Sequence, residues 1–460
     1  MATRAPLVRE LDIPPRLLRQ IAARAPERYP LLLESVATGA LGTMSVLFAA
    51  PRAALILHRD GRLQAQGFTA HGATFLEALD EWWRREAASD ASASKADASG
   101  PLRFAGAWAL YLGYELAGEI EPHLTLPQTP LPWAAFAVRT RAALIYDFTR
   151  ARALAVAEHD AADALEELLA DVAAALSTAV NPALVLHGAA REEDPQAFLT
   201  RVHRAKEYIR AGDIYQANLS RPWEIRINAD AASAVYERLC AANPAPFAAL
   251  AQRQGISILS SSPERLVRVS GRSVDTRPIA GTRPRSRTPG GDPGEMSALA
   301  AHPKERAEHI MLIDLERNDL GRVCEAGTVR VDELMTIESY THVHHITSNV
   351  SGRLRADVTP IGALRAVFPG GTITGCPKFR CMQIIAELEG VGRGAYTGSL
   401  GYLTRGGDLD LNILIRTMTL NGGELTFRAG AGIVADSDPE AELEETRAKA
   451  RGLLAALGGG

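Results

Sequence analysis

The sequence predicts a large protein of the α+β class, in which strands and helices are mixed along the whole chain. Short apolar runs bounded by turn residues recur from about residue 29 to residue 428, and such runs indicate strands. Segments with apolar residues at helical spacing lie between them and predict helices. Because the chain has 460 residues, it can bury a large core, as one big domain or as two or three ordinary ones.

The composition predicts a soluble cytoplasmic protein that binds neither nucleic acid nor membrane. The formal net charge is -4 and Lys and Arg are scattered, so no basic surface for nucleic acid is indicated. No apolar run reaches the roughly 18 residues that a membrane span needs, and the N-terminus lacks the apolar core of a signal peptide. The 4 cysteines show no CxxC spacing, which is typical of buried thiols in a reducing compartment.

Residues 1–185 are predicted to form an N-terminal unit. Residues 87–100 within it are rich in Ala, Ser and Asp and predict a surface loop without regular structure. The other patterns are strands at 29–35, 45–50, 53–58, 107–114 and 134–147, and helices at 74–85 and 160–179.

Residues 194–456 are predicted to form a second unit, which carries the candidate functional residues. A strand predicted at 215–220 alternates between apolar and polar side chains, so Gln216, Asn218 and Ser220 share one face. That face either lines a polar pocket or is exposed to solvent.

Two pairs of glutamates with the same spacing are the clearest sign of chemistry. Glu305 and Glu308 lie three residues apart on a helix predicted at 302–323, so both carboxylates project from one face. Glu442 and Glu445 repeat this spacing on the last predicted helix. Each pair is either a solvated helix face or half of a cation site. Because all four donors are oxygens, such a site would favour Mg²⁺ over Zn²⁺.

The segment Gly430–Ala435 matches the GxGxxA fingerprint of dinucleotide-binding enzymes. No further strand is expected after it, so the βαβ unit that this fingerprint requires does not form. The glycines are instead expected to form a turn that lets the backbone approach a ligand closely. Ser437 is predicted to cap the last helix and Glu440 to be its capping-box acid, which gives Glu440 a structural role.

Three histidines and two basic residues each allow more than one interpretation. On a strand, His342 and His344 face one side and His345 the other, so the three do not converge on zinc. One inward histidine is expected instead, acting as an acid or base or hydrogen-bonded in the core. Lys378 and Arg416 either hold a substrate carboxylate or form surface ion pairs.

Eight stretches of the second unit, taken together, resemble the chorismate-utilising enzymes. They are GDIYQANLS, SSPERL, TRPIAGTRPR, HPKERAEHIMLIDLERNDLGRV, FPGGTITGCPK, YTGSLGYL, LIRT and GAGIVADSDPEAELEET. This family includes anthranilate synthase component I, aminodeoxychorismate synthase component I, and the isochorismate and salicylate synthases. The resemblance implies two packed antiparallel β-sheets flanked by helices, with the active site in the cleft between them.

The resemblance also implies roles for individual residues. Mg²⁺ would be held by Glu308 and Glu445, with Glu305 and Glu442 beside it, and would grip the ring carboxylate of chorismate. Glu264 would protonate the departing C4 hydroxyl group. The other implied site residues are His345 and Thr372 near the ring; Tyr396, Arg416, Gly430 and Gly432 around the enolpyruvyl carboxylate; and Ala280, Gly281, Thr282 and Lys378 elsewhere around the substrate.

The residue at position 216, Gln216, indicates whether water or ammonia is the nucleophile. Relatives that activate water have a lysine at this position and relatives that use ammonia have glutamine, so the resemblance implies ammonia. No Cys-His-Glu glutaminase module is recognisable in the sequence. We therefore expect a separate glutamine amidotransferase subunit as a partner.

Two ammonia-using activities are compatible with these motifs. Asn218, Gly371 and Ser399 resemble aminodeoxychorismate synthase, which makes 4-amino-4-deoxychorismate for folate synthesis, and the motifs favour this activity. The alternative is anthranilate synthase of tryptophan synthesis, because Ala280 stands where aminodeoxychorismate synthases usually carry a nucleophilic lysine. Residues 31–35 also resemble a tryptophan-feedback strand. A catalytically inactive relative is disfavoured because all the acids of the family are present.

Overall fold

A computed structural model describes residues 5–37, 41–88, 104–178, 183–285, 291–339 and 343–458. The predicted surface loop at 87–100 lies almost entirely outside these residues, and so does His342. For Thr282, the backbone is described but the side chain is not. No helix among the described residues is long and apolar enough to span a membrane.

Eleven helices occur in the described ranges. They are α1 (Leu17–Arg24), α2 (Phe75–Ala88), α3 (Ala117–Ile120), α4 (Ala162–Ser177), α5 (Pro195–Arg210), α6 (Ala232–Ala242), α7 (Asp292–Ala301), α8 (Pro303–Gly321), α9 (Pro360–Val367), α10 (Lys378–Glu389) and α11 (Pro439–Ala456).

Strands make up most of the remaining described chain. They are β1 (Leu7–Leu11), β2 (Leu31–Glu34), β3 (Met44–His58), β4 (Leu63–Gln66), β5 (Ala107–Leu112), β6 (Trp133–Asp147), β7 (Arg152–Ala157), β8 (Arg191–Glu192), β9 (Gln216–Arg226), β10 (Phe247–Arg253), β11 (Ile256–Ser262), β12 (Arg265–Ser270), β13 (Ser273–Arg277), β14 (Ile279–Pro284), β15 (Arg330–Ser339), β16 (Val343–Arg353), β17 (Gly375–Cys376), β18 (Ser399–Thr404), β19 (Leu409–Asn412), β20 (Thr417–Asn421) and β21 (Glu424–Ile433).

The strands form two antiparallel arms that share β3 and β6. The first arm runs β1-β7-β6-β3-β2-β10-β11-β20-β21-β9-β8. The second runs β4-β3-β6-β5-β18-β19-β12-β13-β16-β15, and β14 also pairs with β16. The two predicted antiparallel sheets are therefore confirmed, with the added finding that two long strands connect them.

The long strand β3 differs from the expectation of two short strands. Residues 45–50 and 53–58 belong to one strand, which changes register against β6 between Pro51 and Ala53. Ala50 just before this point has a φ of 56°, in the left-handed region. A bulge of this kind bends a strand, so the first half of β3 pairs with β2 and the second half with β4.

Apolar packing on both faces of the arms places the functional site between them. One buried cluster contains residues from both arms, including Leu31, Ile258, Tyr111 and Leu400, and so fills the space between them. Other clusters join α1, α4, α6 and α11 to the first arm and α2, α8 and α9 to the second. Helix α11 packs against β21, and α8 packs against β14 and β16.

Two local expectations are corrected by the structure. Asp438, and not Ser437, caps α11, because the Asp438 carboxylate accepts a hydrogen bond of 2.9 Å from the Ala441 N–H. The Ser437 hydroxyl instead accepts the Val434 N–H at 3.0 Å. The glycines at 430 and 432 lie within β21 and not in a turn. The predicted division into units 1–185 and 194–456 stays a prediction. Strand β2 pairs with β10, and β5 pairs with β18, so backbone hydrogen bonds join the two predicted units.

Candidate active site

A cavity of about 660 Å³ lies where β9, β21 and α11 of one arm meet β14, β16 and α8 of the other. It brings together residues that are far apart in the sequence. The predicted site residues that line it are Gln216, Glu264, Ala280, Gly281, Glu305, Glu308, His345, Thr372, Tyr396, Arg416, Gly430, Gly432, Glu442 and Glu445.

Two polar atoms on the cavity wall have no hydrogen-bond partner within the described residues. They are Gln216 Oε1 and Asn218 Oδ1, and both are buried from solvent. Buried polar atoms in folded proteins are nearly always hydrogen-bonded, so two of them around one cavity require an explanation. A polar ligand in the cavity would satisfy them.

Glu264 is the buried acid of the site. It follows β11 in the segment Ser262-Pro263-Glu264, where the Ser262 hydroxyl accepts the Glu264 N–H at 3.2 Å. Its side chain is 4 % exposed. Burial raises the pKa of Glu264 to about 7, although the positive charges of Lys449 and Arg416 oppose this shift. Glu264 can therefore hold a proton near neutral pH and donate it, as a general acid must.

His345 and Arg416 supply a neutral ring and a half-buried positive charge. Burial, reinforced by the charge of Arg416, lowers the pKa of His345 to about 3, so its imidazole is neutral. Arg416 forms no ion pair within the described residues. Its backbone has a φ of 51°, which a non-glycine residue rarely adopts. A guanidinium group on the cavity wall that forms no ion pair among the described residues is suited to binding a substrate carboxylate.

The glycine at 430 allows two polar side chains to approach the strand closely. A Cβ atom at Gly430 would lie 2.6 Å from the Tyr396 hydroxyl and 2.7 Å from Asn218 Oδ1, so any side chain there would displace both. Tyr396 is 6 % exposed, and burial raises its pKa to about 12. The hydroxyl therefore stays protonated and can donate a hydrogen bond into the cavity.

The carboxylates of α8 and α11 that line the cavity differ in exposure. Glu442 is buried at 7 % exposure, whereas Glu445 is 48 % exposed and pairs with Lys449 at 2.7 Å. Burial, together with the negative charges of Glu305 and Glu445, raises the pKa of Glu308. A bound cation would relieve this repulsion.

The donor set fits Mg²⁺, although the described residues include no group of three acidic or histidine side chains close enough to form a complete metal cage. Mg²⁺ is commonly bound by one or two carboxylates, with water and substrate oxygens completing its shell. The oxygen donors of Glu308 and Glu445 suit such a site. No soft sulfur ligand lines the cavity in the part of the chain that the structure describes.

Two predicted substrate-binding residues are not part of the described cavity wall. Lys378 lies outside it because its ammonium group bonds to Asp319 at 2.5 Å and to the Val367 carbonyl at 3.0 Å. The Thr282 backbone lies in β14 opposite His345, and its side chain is not described.

Lys449 is a cavity residue that the sequence analysis did not select. Its ammonium group donates a hydrogen bond of 2.9 Å to the Gly430 carbonyl and pairs with Glu445. Its spacing could have indicated this position, because Lys449 follows Glu445 by four residues and therefore lies on the same face of the helix. Arg428 and Asn243 also line the cavity without having been selected.

A cavity with a buried proton donor, a half-buried guanidinium group and a set of carboxylates is typical of an enzyme that acts on a small anionic substrate. The family model for chorismate binding enzymes matches residues 48–455 of this chain. The chain belongs to this family and is an enzyme of the chorismate-using class.

Individual proteins with similar sequences or structures carry related names. The chain is 45 % identical over 361 residues to an anthranilate synthase component I-like protein from Synechocystis, covering 78 % of this chain and 74 % of the relative. It is 42 % identical over 368 residues to anthranilate synthase component 1 from Streptomyces coelicolor, covering 75 % and 72 %. The crystal structure of anthranilate synthase component I from Streptococcus pneumoniae superimposes with a TM-score of 0.74 at 30 % identity, covering 90 % and 93 %.

Gly432→Ala is expected to lower the rate of chorismate consumption roughly 10- to 100-fold, because small displacements at a catalytic site have effects of that size. The new Cβ would lie 2.4 Å from Gln216 Nε2 and 3.7 Å from Glu308 Oε1. The Gln216 amide, which donates to Glu308 at 3.3 Å, would have to move. Steady-state kinetics with chorismate test this.

The matched control for Gly432→Ala is Gly321→Ala at the end of α8, where an added Cβ meets nothing within 4 Å. We expect this variant to keep wild-type activity. Equal activity of both variants would contradict the close approach at Gly432.

Proposed function

We propose that this chain is the chorismate-aminating component of an anthranilate synthase. The reaction consumes chorismate and ammonia and yields anthranilate, pyruvate and water. The observation that carries the proposal is the similarity, across most of the chain, to relatives named anthranilate synthase component I-like protein and anthranilate synthase component 1. The sequence motifs favoured amination at C4, and the comparisons give more support to the alternative.

Ala280 supports amination without a covalent lysine intermediate. Its side chain is 6 % exposed and lines the cavity, and a methyl group has no nucleophilic atom. Among the described lining residues the only lysine is Lys449, whose ammonium group is bonded to the Gly430 carbonyl and to Glu445. Ammonia is therefore the nucleophile that attacks the ring directly.

The lining residues can be assigned roles in this reaction. Ammonia forms the new bond at C2, the ring double bonds shift, and the C4 hydroxyl leaves as water with the proton of Glu264. Arg416 and Tyr396 hold a substrate carboxylate, which fixes the ring relative to the acid. Loss of the C2 proton and departure of the enolpyruvyl group as pyruvate then give the aromatic ring.

Mg²⁺ bound by Glu308 and Glu445 would supply positive charge to a substrate carboxylate. Glu305 and Glu442 line the same cavity and add negative charge to it. The Gln216 side chain is a neutral amide and cannot act as a general base. This suits ammonia as the nucleophile, because unprotonated ammonia attacks without one.

The cysteines support an external source of ammonia. Hydrolysis of glutamine by a thiol requires a thiolate, whose formation a lowered pKa favours. Burial raises the pKa of all 4 cysteines of the chain, to about 12 for Cys240 and Cys381 and by smaller amounts for Cys324 and Cys376. We therefore infer that a glutamine amidotransferase subunit delivers ammonia to this chain.

A second cavity is compatible with feedback control of the kind that the resemblance implied. It has a volume of about 450 Å³ and is lined by Leu33, Glu34 and Ser35 of the proposed tryptophan-feedback strand. Glu34 is held there by Arg19, with a contact of 2.8 Å. Tryptophan binding at this cavity would support anthranilate synthesis, the first step towards that amino acid.

Amination at C4 is the second candidate function. Asn218 favours it, because the motif that contains this residue resembles that of aminodeoxychorismate synthases. In addition, Asn218 Oδ1 lines the cavity and has no hydrogen-bond partner in the described residues. Gly371 and Ser399 carry the same resemblance. This product would keep its enolpyruvyl group and would need a separate lyase to become 4-aminobenzoate.

The purified chain with chorismate, Mg²⁺ and an ammonium salt at raised pH is expected to form anthranilate and pyruvate together. Anthranilate is followed by its fluorescence and pyruvate by a coupled lactate dehydrogenase assay. Glutamine in place of ammonium salt should give no product, because burial raises the pKa of all 4 thiols of the chain. Absence of pyruvate, with 4-aminobenzoate formed only after addition of aminodeoxychorismate lyase, would establish C4 amination and contradict the proposal.

A further inference from the structure

A buried ion pair lies directly behind the cavity. Glu389 is the last residue of α10, and Arg393 follows it by four residues. Arg393 Nη2 lies 2.7 Å from Glu389 Oε1, and both side chains are 1 % exposed. Burial opposes ionisation of Glu389, but the charges of Arg393 and Arg428 outweigh it and lower the pKa of Glu389 to about 2. The pair is therefore fully ionised.

The Arg393 guanidinium group connects two backbone segments of the cavity. Its Nη2 donates a hydrogen bond of 2.7 Å to the Asn218 carbonyl of β9, and its Nη1 donates one of 3.3 Å to the Ile373 carbonyl. Ile373 belongs to the short helical turn that contains Thr372. Asn218 in turn donates its N–H to the Thr374 carbonyl at 2.9 Å. One side chain thus fixes β9 relative to the Thr372 turn.

The same pair also fixes side chains of the site. The Arg393 guanidinium carbon lies 5.5 Å from the centroid of the Tyr396 ring and 5.0 Å from that of Tyr114, at distances of cation–π contacts. Glu389 accepts a hydrogen bond of 3.0 Å from Arg428, which lines the cavity. It also accepts the Ser220 N–H and hydroxyl at 2.8 and 2.9 Å.

We propose that Arg393, held by Glu389, is the positioning residue that keeps Asn218, the Thr372 turn and Tyr396 in the arrangement needed for conversion of chorismate. The planar guanidinium group offers five donors in fixed directions, which a lysine ammonium group does not reproduce. The proposal rests on the proposed function only in taking this cavity as the chorismate site. It does not depend on which ring carbon is aminated.

The test compares Arg393→Lys with Arg139→Lys. Arg139 is a matched control because it is also 1 % exposed, pairs with Glu158 and Glu86, and lies 4.9 Å from the Trp108 ring centroid. It does not line the cavity. For Arg393→Lys we expect kcat/KM for chorismate consumption to fall roughly 100-fold, the effect of a displacement of about 1 Å at a catalytic site. Arg139→Lys should keep wild-type kcat/KM while losing a similar amount of thermal stability.

Hydrogen exchange supplies a second measurement that does not require turnover. Arg393 Nη1 also donates a hydrogen bond of 3.4 Å to the Thr397 hydroxyl. The backbone amides to follow are therefore those of Asn218, Thr374 and Thr397, which are hydrogen-bonded to the carbonyls of Thr374, Gly371 and Leu414, respectively. Their exchange should become faster in Arg393→Lys and stay unchanged in Arg139→Lys. If wild-type protein consumes no chorismate, the proposed function fails, and this exchange comparison still decides whether Arg393 holds Asn218, the Thr372 turn and Tyr396 in place.

Glu389→Gln, with Glu158→Gln as its control, gives the same two measurements if Arg393→Lys does not fold. The glutamine keeps the volume and one acceptor but removes the charge that orients Arg393. The proposal is supported if the Arg393 or Glu389 variant loses activity and shows faster local exchange while its control variant shows neither effect. Equal activity in variant and control, or unchanged exchange at the three amides, overturns it.

Discussion

Glu264→Gln is expected to reduce kcat about 1,000-fold, within the range attributed to general acid catalysis. The glutamine amide has nearly the shape of the protonated acid but has no proton to give to the departing C4 hydroxyl. Because Glu264 is 4 % exposed and burial raises its pKa to about 7, its neutral form is already part of the folded state. The substitution should therefore leave the thermal stability almost unchanged. Steady-state kinetics and thermal unfolding of the same preparation test this.

The pH dependence provides a separate measurement of the same role. A general acid must be protonated, so the rate should be highest well below pH 7 and should fall as the pH rises through the Glu264 pKa of about 7. Free ammonia increases over this range, so rates must be expressed per concentration of unprotonated NH₃. The descending limb should disappear in Glu264→Gln.

Glu119→Gln is the control for the Glu264 variant, because burial also raises the Glu119 pKa and this residue does not line the cavity. Its carboxylate accepts the Phe75 and Leu76 N–H groups at the start of α2. This variant should keep the wild-type pH profile. A Glu264→Gln enzyme that keeps its descending limb would exclude Glu264 as the acid.

The chemistry of several site residues is visible in short sequence motifs. The spacing of Glu305 with Glu308, and of Glu442 with Glu445, is a local property of a helix, and the structure brings both pairs to one cavity. The motif that contains Glu264 resembles that of the chorismate-utilising enzymes, and this resemblance implies its role as the proton donor. In such cases the residue type and its immediate neighbours contain enough information.

Partners that are distant in the sequence could not be predicted in the same way. Lys378 was assigned to the substrate, but the charge that neutralises it belongs to Asp319, on another helix. Glu389 and Arg393 have the i, i+4 spacing of an ordinary surface pair, and only the fold reveals that both are buried. Burial decides between these interpretations, and it depends on the packing of α10 against β9.

The bend in β3 was likewise not visible in the sequence. Two apolar runs separated by Pro51 and Arg52 are typical of two strands joined by a turn. In the structure both runs pair with β6, so the interruption becomes a bulge. The proline is tolerated because the register changes there and the ladder hydrogen bonds are locally disrupted. Local propensity thus predicted the break, and the long partner strand determined its form.

Glu308→Gln is expected to lower the rate of chorismate conversion at limiting Mg²⁺ about 1,000-fold, because a metal ion commonly contributes several kcal/mol of charge stabilisation. The substitution removes one oxygen donor and one negative charge. Burial and the charges of Glu305 and Glu445 already raise the pKa of Glu308, so the folded protein should be as stable as the wild type, or more so. Thermal unfolding without Mg²⁺ tests this second expectation independently of activity.

Direct Mg²⁺ binding separates the metal role from other effects at α8 and α11. Isothermal titration calorimetry should show weaker Mg²⁺ binding for Glu308→Gln and for Glu445→Gln, and wild-type binding for Glu444→Gln. Glu444 is the matched control because it is next to Glu445 on α11, is 65 % exposed and pairs with Arg447 at 2.7 Å, outside the cavity. The side-chain carbonyl introduced by Glu308→Gln can still accept the hydrogen bond that Gln216 donates at 3.3 Å, so loss of that contact would not account for weaker binding. Wild-type Mg²⁺ affinity in both Glu308→Gln and Glu445→Gln would remove these carboxylates from the metal site.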